Sequence, residues 1–285
     1  MPRTNAALPL LCLAAAAVAT APATAAAWSE PGHRIVAAIA EERLGPSARR
    51  LVREVLGATP MSNADVAGWA DAQRDPATRA WHYVNIPLAA AFDPARDCPR
   101  EACVVAALER AIAELRDGEG AARRADAFRW LVHLVADVHQ PLHAGDGRDR
   151  GGNDLPTRRE RARGQPRPFH RVWDQDVLGP ILRRRGTVAA ARALARDIGP
   201  AEAARWAARP SPAEWADESH ALARALYAEL GPLPRDGRIV LLPREYADRQ
   251  RARTELQLQK AGVRLAALLE RIAAARAVRL GAAGR

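Results

Sequence analysis

The chain has 285 residues, with 43 Lys and Arg against 33 Asp and Glu, a formal net charge of +10 and a pI near 10.8. That length can enclose one sizeable core, and an apolar content of 48% excludes a disordered polyelectrolyte. Past the N-terminus no stretch nears the roughly 20 apolar residues of a helical membrane span. The basic surplus suits polyanionic partners through long-range attraction, although an arginine-rich composition bias leaves the same surplus.

Residues 1–27 read as a secretory signal: Arg3, an apolar run over Leu8–Val18, and the small-residue cleavage site Ala25-Ala26-Ala27. Cleavage after Ala27 makes Trp28 the first residue of a secreted or periplasmic protein. Ile35, Val36, Ile39 and Ala40 then form a helical stripe that Pro31 opens and Gly45-Pro46 closes. Leu51, Val52, Val55 and Leu56 form another, closed by Gly57. Cys98 and Cys103 are the two cysteines left after cleavage, and so close a pair in an exported chain favours a local disulfide. Helices are expected over 103–116 and 121–140, and another runs to Leu230 from the capping-box pattern Ser211-Pro212-Ala213-Glu214. A long terminal helix starts near Arg244. Sustained β alternation is absent, and 238–242 (RIVLL) is the one candidate strand. The segment 144–168, rich in Gly, Asp and Arg, reads as a long irregular loop rimming a site. The fold class is therefore mainly α: a single compact multi-helix domain over 28–285.

The segment WLVHLVADVHQPLH (130–143) carries the strongest chemical signal. His133 and Asp137, four apart, share one helix face, and Pro141 ends the helix so that His143 can fold back. FHRVWD repeats the spacing with His170 and Asp174. His33, His82 and Asp71 complete a set of five His and three Asp, more than one zinc requires, which points to a cluster of two or three ions. His139 is expected to orient a ligand from behind, and His220 to be an ordinary helix histidine. No P-loop, dinucleotide fingerprint or serine nucleophile motif competes for the chemistry.

Taken in order, WSEPGHRIVAAIA, GWADAQR, WHYVNIP, WLVHLVADVHQPLH, GGND and FHRVWD resemble the zinc-dependent single-strand-specific nucleases of fungi, plants and bacteria, the S-one/P-one nuclease family. The resemblance implies a helical fold of the type shared with zinc phospholipase C, and three zinc ions in one cleft. One ion would take Asp71, His82, His133 and Asp137. A second would share Asp137 and take His33 with the α-amino nitrogen and carbonyl oxygen of Trp28. The third would take His143, His170 and Asp174. Asp71, Arg74, Asp137 and Asp174 would be the catalytic residues, Arg74 binding phosphate oxygens. Tyr83 would stack on a base, Asn153 and Asp154 would bind its edge, and Asn85 stands near the scissile phosphate where many members carry Asp. The implied partners are single-stranded DNA, RNA and nucleotides, with no stable membrane association. The rival reading is a zinc phospholipase C, which has Glu as final ligand and a longer gap from Trp to the next His. Asp174, and the gap of five between Trp28 and His33, favour the nuclease.

Overall fold

The computed structural model describes residues 28–183, 185–234 and 236–283, so the proposed signal over 1–27 lies outside the described residues. The chain is mainly helical. The principal helices are α1 (Glu30–Arg43), α2 (Pro46–Leu56), α3 (Val104–Asp117), α4 (Ala121–Val138), α5 (Phe169–Asp174), α6 (Gly186–Arg196), α7 (Pro200–Ala207), α8 (Pro212–Leu230) and α9 (Arg251–Ala283). Prolines in the first turn of α1, α2, α7 and α8 start those helices where a backbone N–H has no partner to lose. The Ser211 hydroxyl accepts from Glu214 N–H, as the capping pattern predicts.

α4 is the central helix. From Leu131 to Val138 every residue is buried, on all faces, because α1, α3, α8 and α9 surround it. α1 crosses α9 at Gly262, where a Cβ would sit 2.5 Å from Ile39 Cγ2, so only glycine permits that approach. The end of α4 leaves carbonyls without helical partners. Ser219 Oγ of α8 donates to Val138 O at 2.6 Å, and Gln257 Nε2 of α9 donates to His139 O at 2.8 Å. Two distant helices thus fix the point at which the chain turns toward His143.

Two expectations need correction. The segment 144–168 is not an unbroken loop. It contains β1 (Pro156–Arg159) and leads into β2 (Arg167–Pro168), which join β3 (Val240–Leu242) in a sheet of order β2-β1-β3. β1 pairs antiparallel with β2 and parallel with β3. These strands are too short for alternation to register in sequence. The terminal helix begins at Arg251, because a separate turn over Tyr246–Arg249 precedes it. α6 and α7 had no individual signal, being rich in Ala and Arg. Cys98 and Cys103 are disulfide-bonded, and no described helix is long and apolar enough to cross a membrane.

Candidate metal centre

α4 presents His133 and Asp137 to a common point, as their spacing requires. Around them lie His33 from α1, Asp71 from the 3₁₀ turn Trp69–Ala72, and His82 from the 3₁₀ turn Arg79–His82. Asp137 Oδ2 is 3.0 Å from His82 Nδ1 and 3.3 Å from His133 Nε2, and Asp137 Oδ1 is 3.5 Å from His33 Nε2. Asp71 Oδ1 lies 3.4 Å from His133 Nε2. Two groups of converging ligand atoms result, His33/Asp71/His133 and His82/His133/Asp137. A third is separate: His143, His170 and Asp174, with His170 Nε2 3.6 Å and His143 Nε2 3.9 Å from the Asp174 carboxylate.

Backbone carbonyls set the histidine tautomers. A carbonyl oxygen can only accept, so the ring nitrogen beside it must carry the proton. His133 Nδ1 donates to Ala67 O at 2.9 Å, His143 Nδ1 to His82 O at 2.6 Å and His170 Nδ1 to Gly151 O at 2.7 Å. Each Nε2 is thereby left with a lone pair pointing inward, the orientation of a histidine prepared for a metal. The Nε2 atoms of His143 and His170 are only 3.0 Å apart. Two lone pairs at that separation repel unless a cation lies between them. In the other cluster both His33 ring nitrogens, His133 Nε2 and Asp137 Oδ1 are buried with no hydrogen-bond partner among the described residues. Buried polar atoms are rarely left so, and a divalent cation fits this donor set of imidazoles and carboxylates.

Burial holds His33 and His170 down to about 3, and depresses His143 as well, so these rings are neutral at pH 7. Burial also pushes Asp174 well above the usual carboxylate range, with the Gln140 hydrogen bond opposing it. His133 is held up against its burial by Asp137 and Asp71, and Asp137 is held down against its burial by His133. The sign for acid stability follows. An unfolded histidine takes its proton near pH 6.5, whereas folded His33 and His170 refuse it until about 3. Stability of the chelated protein should therefore fall as pH drops from about 6.5 toward 3, with His133 and Asp174 opposing the trend. Melting temperatures of chelator-treated protein across that window test this, and a rise on acidification would refute it.

Gln140 carries a role the sequence reading missed. Fully buried, it donates from Nε2 to Asp174 Oδ1 at 2.7 Å and accepts from Leu142 N–H at 2.6 Å. One side chain so links the turn before His143 to the carboxylate it faces. Its signal was its place between His139 and Pro141, which read only as a helix stop. Gln140→Ala should weaken retention of one metal ion about 10–100-fold, the usual loss for a partner that orients a ligand. Chelator competition measures it, and unchanged retention would remove Gln140 from that role. His139, by contrast, does not orient a ligand. Its Nδ1–H donates to Val135 O, and its Nε2 accepts from buried Arg264, itself paired to Glu218 at 2.7 Å. That network ties α9 and α8 to the end of α4. His220 is half of a plain contact, its Nε2 lying 3.2 Å from Pro87 O.

The remaining residues border the centre. Val84 N–H donates to His143 O and Val104 N–H to Tyr83 O, which fixes the half-buried Tyr83 between two site segments. Arg74 and Asn85 are exposed, and Arg74 has no ion pair or side-chain hydrogen bond among the described residues. The 151–154 loop closes against the third group. Gly151 has φ +62° and a Cβ there would meet Leu142 O at 2.4 Å, so the loop can approach His170 only with glycine at this position. Asn153 Nδ2 donates to Arg150 O. The Asp154 carboxylate is held by the Arg150 guanidinium at 2.5 and 2.8 Å, an exposed pair that costs little to open. Trp28 is fully buried against Trp173, and the neighbouring Ser29 N–H donates to Asp174 O at 2.8 Å. The chain's first described residues are thus fastened to the third ligand group.

A sequence model described as S1/P1 Nuclease matches residues 28–274. Among curated proteins, Nuclease S1 of Aspergillus oryzae is 28% identical over 177 residues, 59% of this chain and 60% of that protein. Endonuclease 2 of Arabidopsis thaliana is 28% identical over 167 residues, covering 53% and 56%. Nuclease P1 of Penicillium citrinum is 29% identical over 157 residues, covering 52% and 57%. The chain therefore spans somewhat over half the length of each relative it matches.

Proposed function

The chain belongs to the S1/P1 nuclease family, and from that premise we propose that it is an exported zinc-dependent phosphodiesterase that cuts single-stranded DNA and RNA to 5′-phosphate products. The observation that carries the proposal is the convergence of histidine nitrogens and carboxylates in three groups, with the ring nitrogens of His33, His133 Nε2 and Asp137 Oδ1 buried without a hydrogen-bond partner among the described residues. Asp71, His82, His133 and Asp137 would hold one zinc ion. His33, Asp137 and the Trp28 terminus would hold the second, and His143, His170 and Asp174 the third. His33 also approaches Asp71 and His133, so the first two sets share neighbours. When bound, zinc would supply Lewis acidity, lowering the pKa of a water and neutralising phosphoryl oxygens.

The chain's own groups do the rest. Arg74, with no partner among the described residues, would bind phosphate oxygens through its guanidinium fork. Tyr83 would offer a stacking face that accepts any unpaired base, which gives preference for single strands. Asn153 and Asp154 would take the base edge, Asp154 after releasing Arg150, and Asn85 would lie near the phosphate without adding charge. Export accords with the Cys98–Cys103 disulfide, which persists in an oxidising compartment.

The test is to incubate purified protein with single-stranded DNA, RNA and phosphatidylcholine liposomes, and to measure zinc after dialysis. The expected result is cleavage of both nucleic acids, intact lipid and about three zinc ions per chain, because eight side chains and one terminus exceed the needs of one site. Lipid hydrolysis without nucleic-acid cleavage would overturn the nuclease reading. One ion or none would overturn the trinuclear one.

A further inference from the structure

The turn between His143 and β1 is held in a strained backbone conformation by two of its own carboxylates. Arg148, Arg150, Gly151 and Gly152 all have positive φ, at 67°, 55°, 62° and 83°. Such values are costly for the two arginines, so the turn persists only because its surroundings fix it. Asp146 Oδ1 accepts from Asp149 N–H at 2.9 Å and from Gly151 N–H at 3.2 Å. Asp149 Oδ1 accepts from Gly152 N–H at 2.8 Å and from the Tyr227 hydroxyl at 2.7 Å. Tyr227 is a buried residue of α8, 78 positions further along the chain. Its hydroxyl joins the turn to the helical body.

The turn in turn presents two carbonyls to the third ligand group. Gly151 O accepts from His170 Nδ1–H at 2.7 Å, and Gly152 O accepts from the His170 backbone N–H at 3.1 Å. The first of these bonds sets the tautomer that leaves His170 Nε2 facing His143 and Asp174. Asp149 reaches that bond through a single peptide. The N–H it holds is that of Gly152, and the carbonyl of the same peptide unit is Gly151 O. In a planar trans peptide the N–H and C=O point in opposite directions, so fixing one aims the other. Tyr227 also packs edge-on against Phe169, the residue before His170, with ring centroids 5.9 Å apart.

Charge is not what the turn takes from Asp149. Burial pushes its carboxyl above the usual carboxylate range, opposed by the bonds from Tyr227 and Gly152 and reinforced by Asp146. Its Oδ2 is buried with no hydrogen-bond partner among the described residues. The working atom is Oδ1, and it works as an acceptor.

We propose that Asp149 and Tyr227 form a positioning pair for His170: Tyr227 holds Asp149, Asp149 holds Gly152 N–H, and the shared peptide aims Gly151 O at His170 Nδ1. The pair deepens the zinc reading of the third ligand group and rests on it for the metal alone.

The test uses Tyr227→Phe, which removes the hydroxyl and keeps the ring against Phe169. Asp149→Ala, the double variant and Asp149→Asn complete the set, with circular dichroism to verify folding. Imidazole nitrogen chemical shifts in the chelated proteins report the His170 tautomer. Zinc retained against rising chelator concentration reports the ions. In Tyr227→Phe and Asp149→Ala the His170 signals should move toward a mixture of tautomers. One ion should be released at about tenfold lower chelator concentration, the lower end of what a partner orienting a ligand is worth, while the others stay bound. The double variant should do no more than Asp149→Ala, because both side chains act through one peptide. Asp149→Asn keeps the acceptor and should behave as the wild type. An unchanged tautomer with unchanged retention in Tyr227→Phe would overturn the proposal. So would equal loosening of every ion, or Asp149→Asn as damaging as Asp149→Ala. A tautomer shift in Tyr227→Phe, with a wild-type protein that retains no zinc at the third group, would uphold the pair and refute the zinc reading instead.

Discussion

Protein beginning at Trp28 should cleave single-stranded DNA, and the same protein with one additional residue before Trp28 should be slower by more than about a hundredfold. Even a partner that merely orients a ligand is worth about 10–100-fold, so loss of a ligand itself should exceed that. The reason is chemical. A free α-amino group has a pKa of about 7.7–8.0, and a metal displaces its proton near neutrality. An added residue converts the amine to an amide, a far poorer ligand, and places bulk beside His33. Trp28 is fully buried against Trp173, and Ser29 N–H is bonded to Asp174 O. Both His33 nitrogens lack partners, so loss of a shared cation leaves a buried ring with none. The check is specific activity and zinc content of both forms, with N-termini verified by mass spectrometry. Full activity in the extended form would exclude the amine as a ligand. Trp28 would then be a buried aromatic only, and Trp28→Ala with a free amine would lose stability while the extension was tolerated.

Asp137→Asn should lower kcat/KM by at least about a thousandfold, or about 4 kcal/mol of transition-state stabilisation. Asp137 is buried and faces His33, His82 and His133 together, at 3.5, 3.0 and 3.3 Å. An amide keeps the shape but loses the charge, and its N–H end cannot act as a metal ligand. Two of the three proposed ions depend on it, so zinc content should fall from about three per chain to about one. Stability of the chelated protein should also drop by about 3–5 kcal/mol, the usual cost of removing one partner from a buried charged pair. Asp174→Asn is the informative comparison. It touches only the third group and should remove a single ion while leaving the pair around Asp137 loaded. Equal zinc loss in the two variants would show that the groups are not separate sites.

Much of this centre is legible in the sequence because its strongest elements are local. The four-residue spacings of His133 with Asp137, and of His170 with Asp174, fix a shared helix face whatever the rest of the fold does. Pro31, Pro46, Pro212 and Gly57 mark helix ends through backbone constraints that need no tertiary partner. Local signals also located the disulfide and the strand near 238–242. They were silent on β1 and β2, which are too short for alternation and exist by pairing with each other and, for β1, with β3. They misassigned His139, whose spacing from His143 suggested a supporting role that its actual neighbours, Arg264 and Glu218, do not give it.

The sequence by itself therefore determined the helical class, the ligand types and which ligands share a turn, since all three follow from short-range geometry and side-chain chemistry. Only the tertiary structure decided which ligands face one another. His33 and His133 lie 100 residues apart, yet their rings stack at 3.9 Å because α1 packs on α4. It also decided which ring nitrogen is free, since that depends on where Ala67, His82 and Gly151 place their carbonyls. Arg158, Arg159, Arg163, Arg167, Arg183 and Arg244 line one concavity beside α5, although they come from β1, β2 and the segments after β1, α5 and β3. Their grouping is invisible in the one-dimensional chain, because long-range pairing, rather than any local preference, brings those charges to one rim.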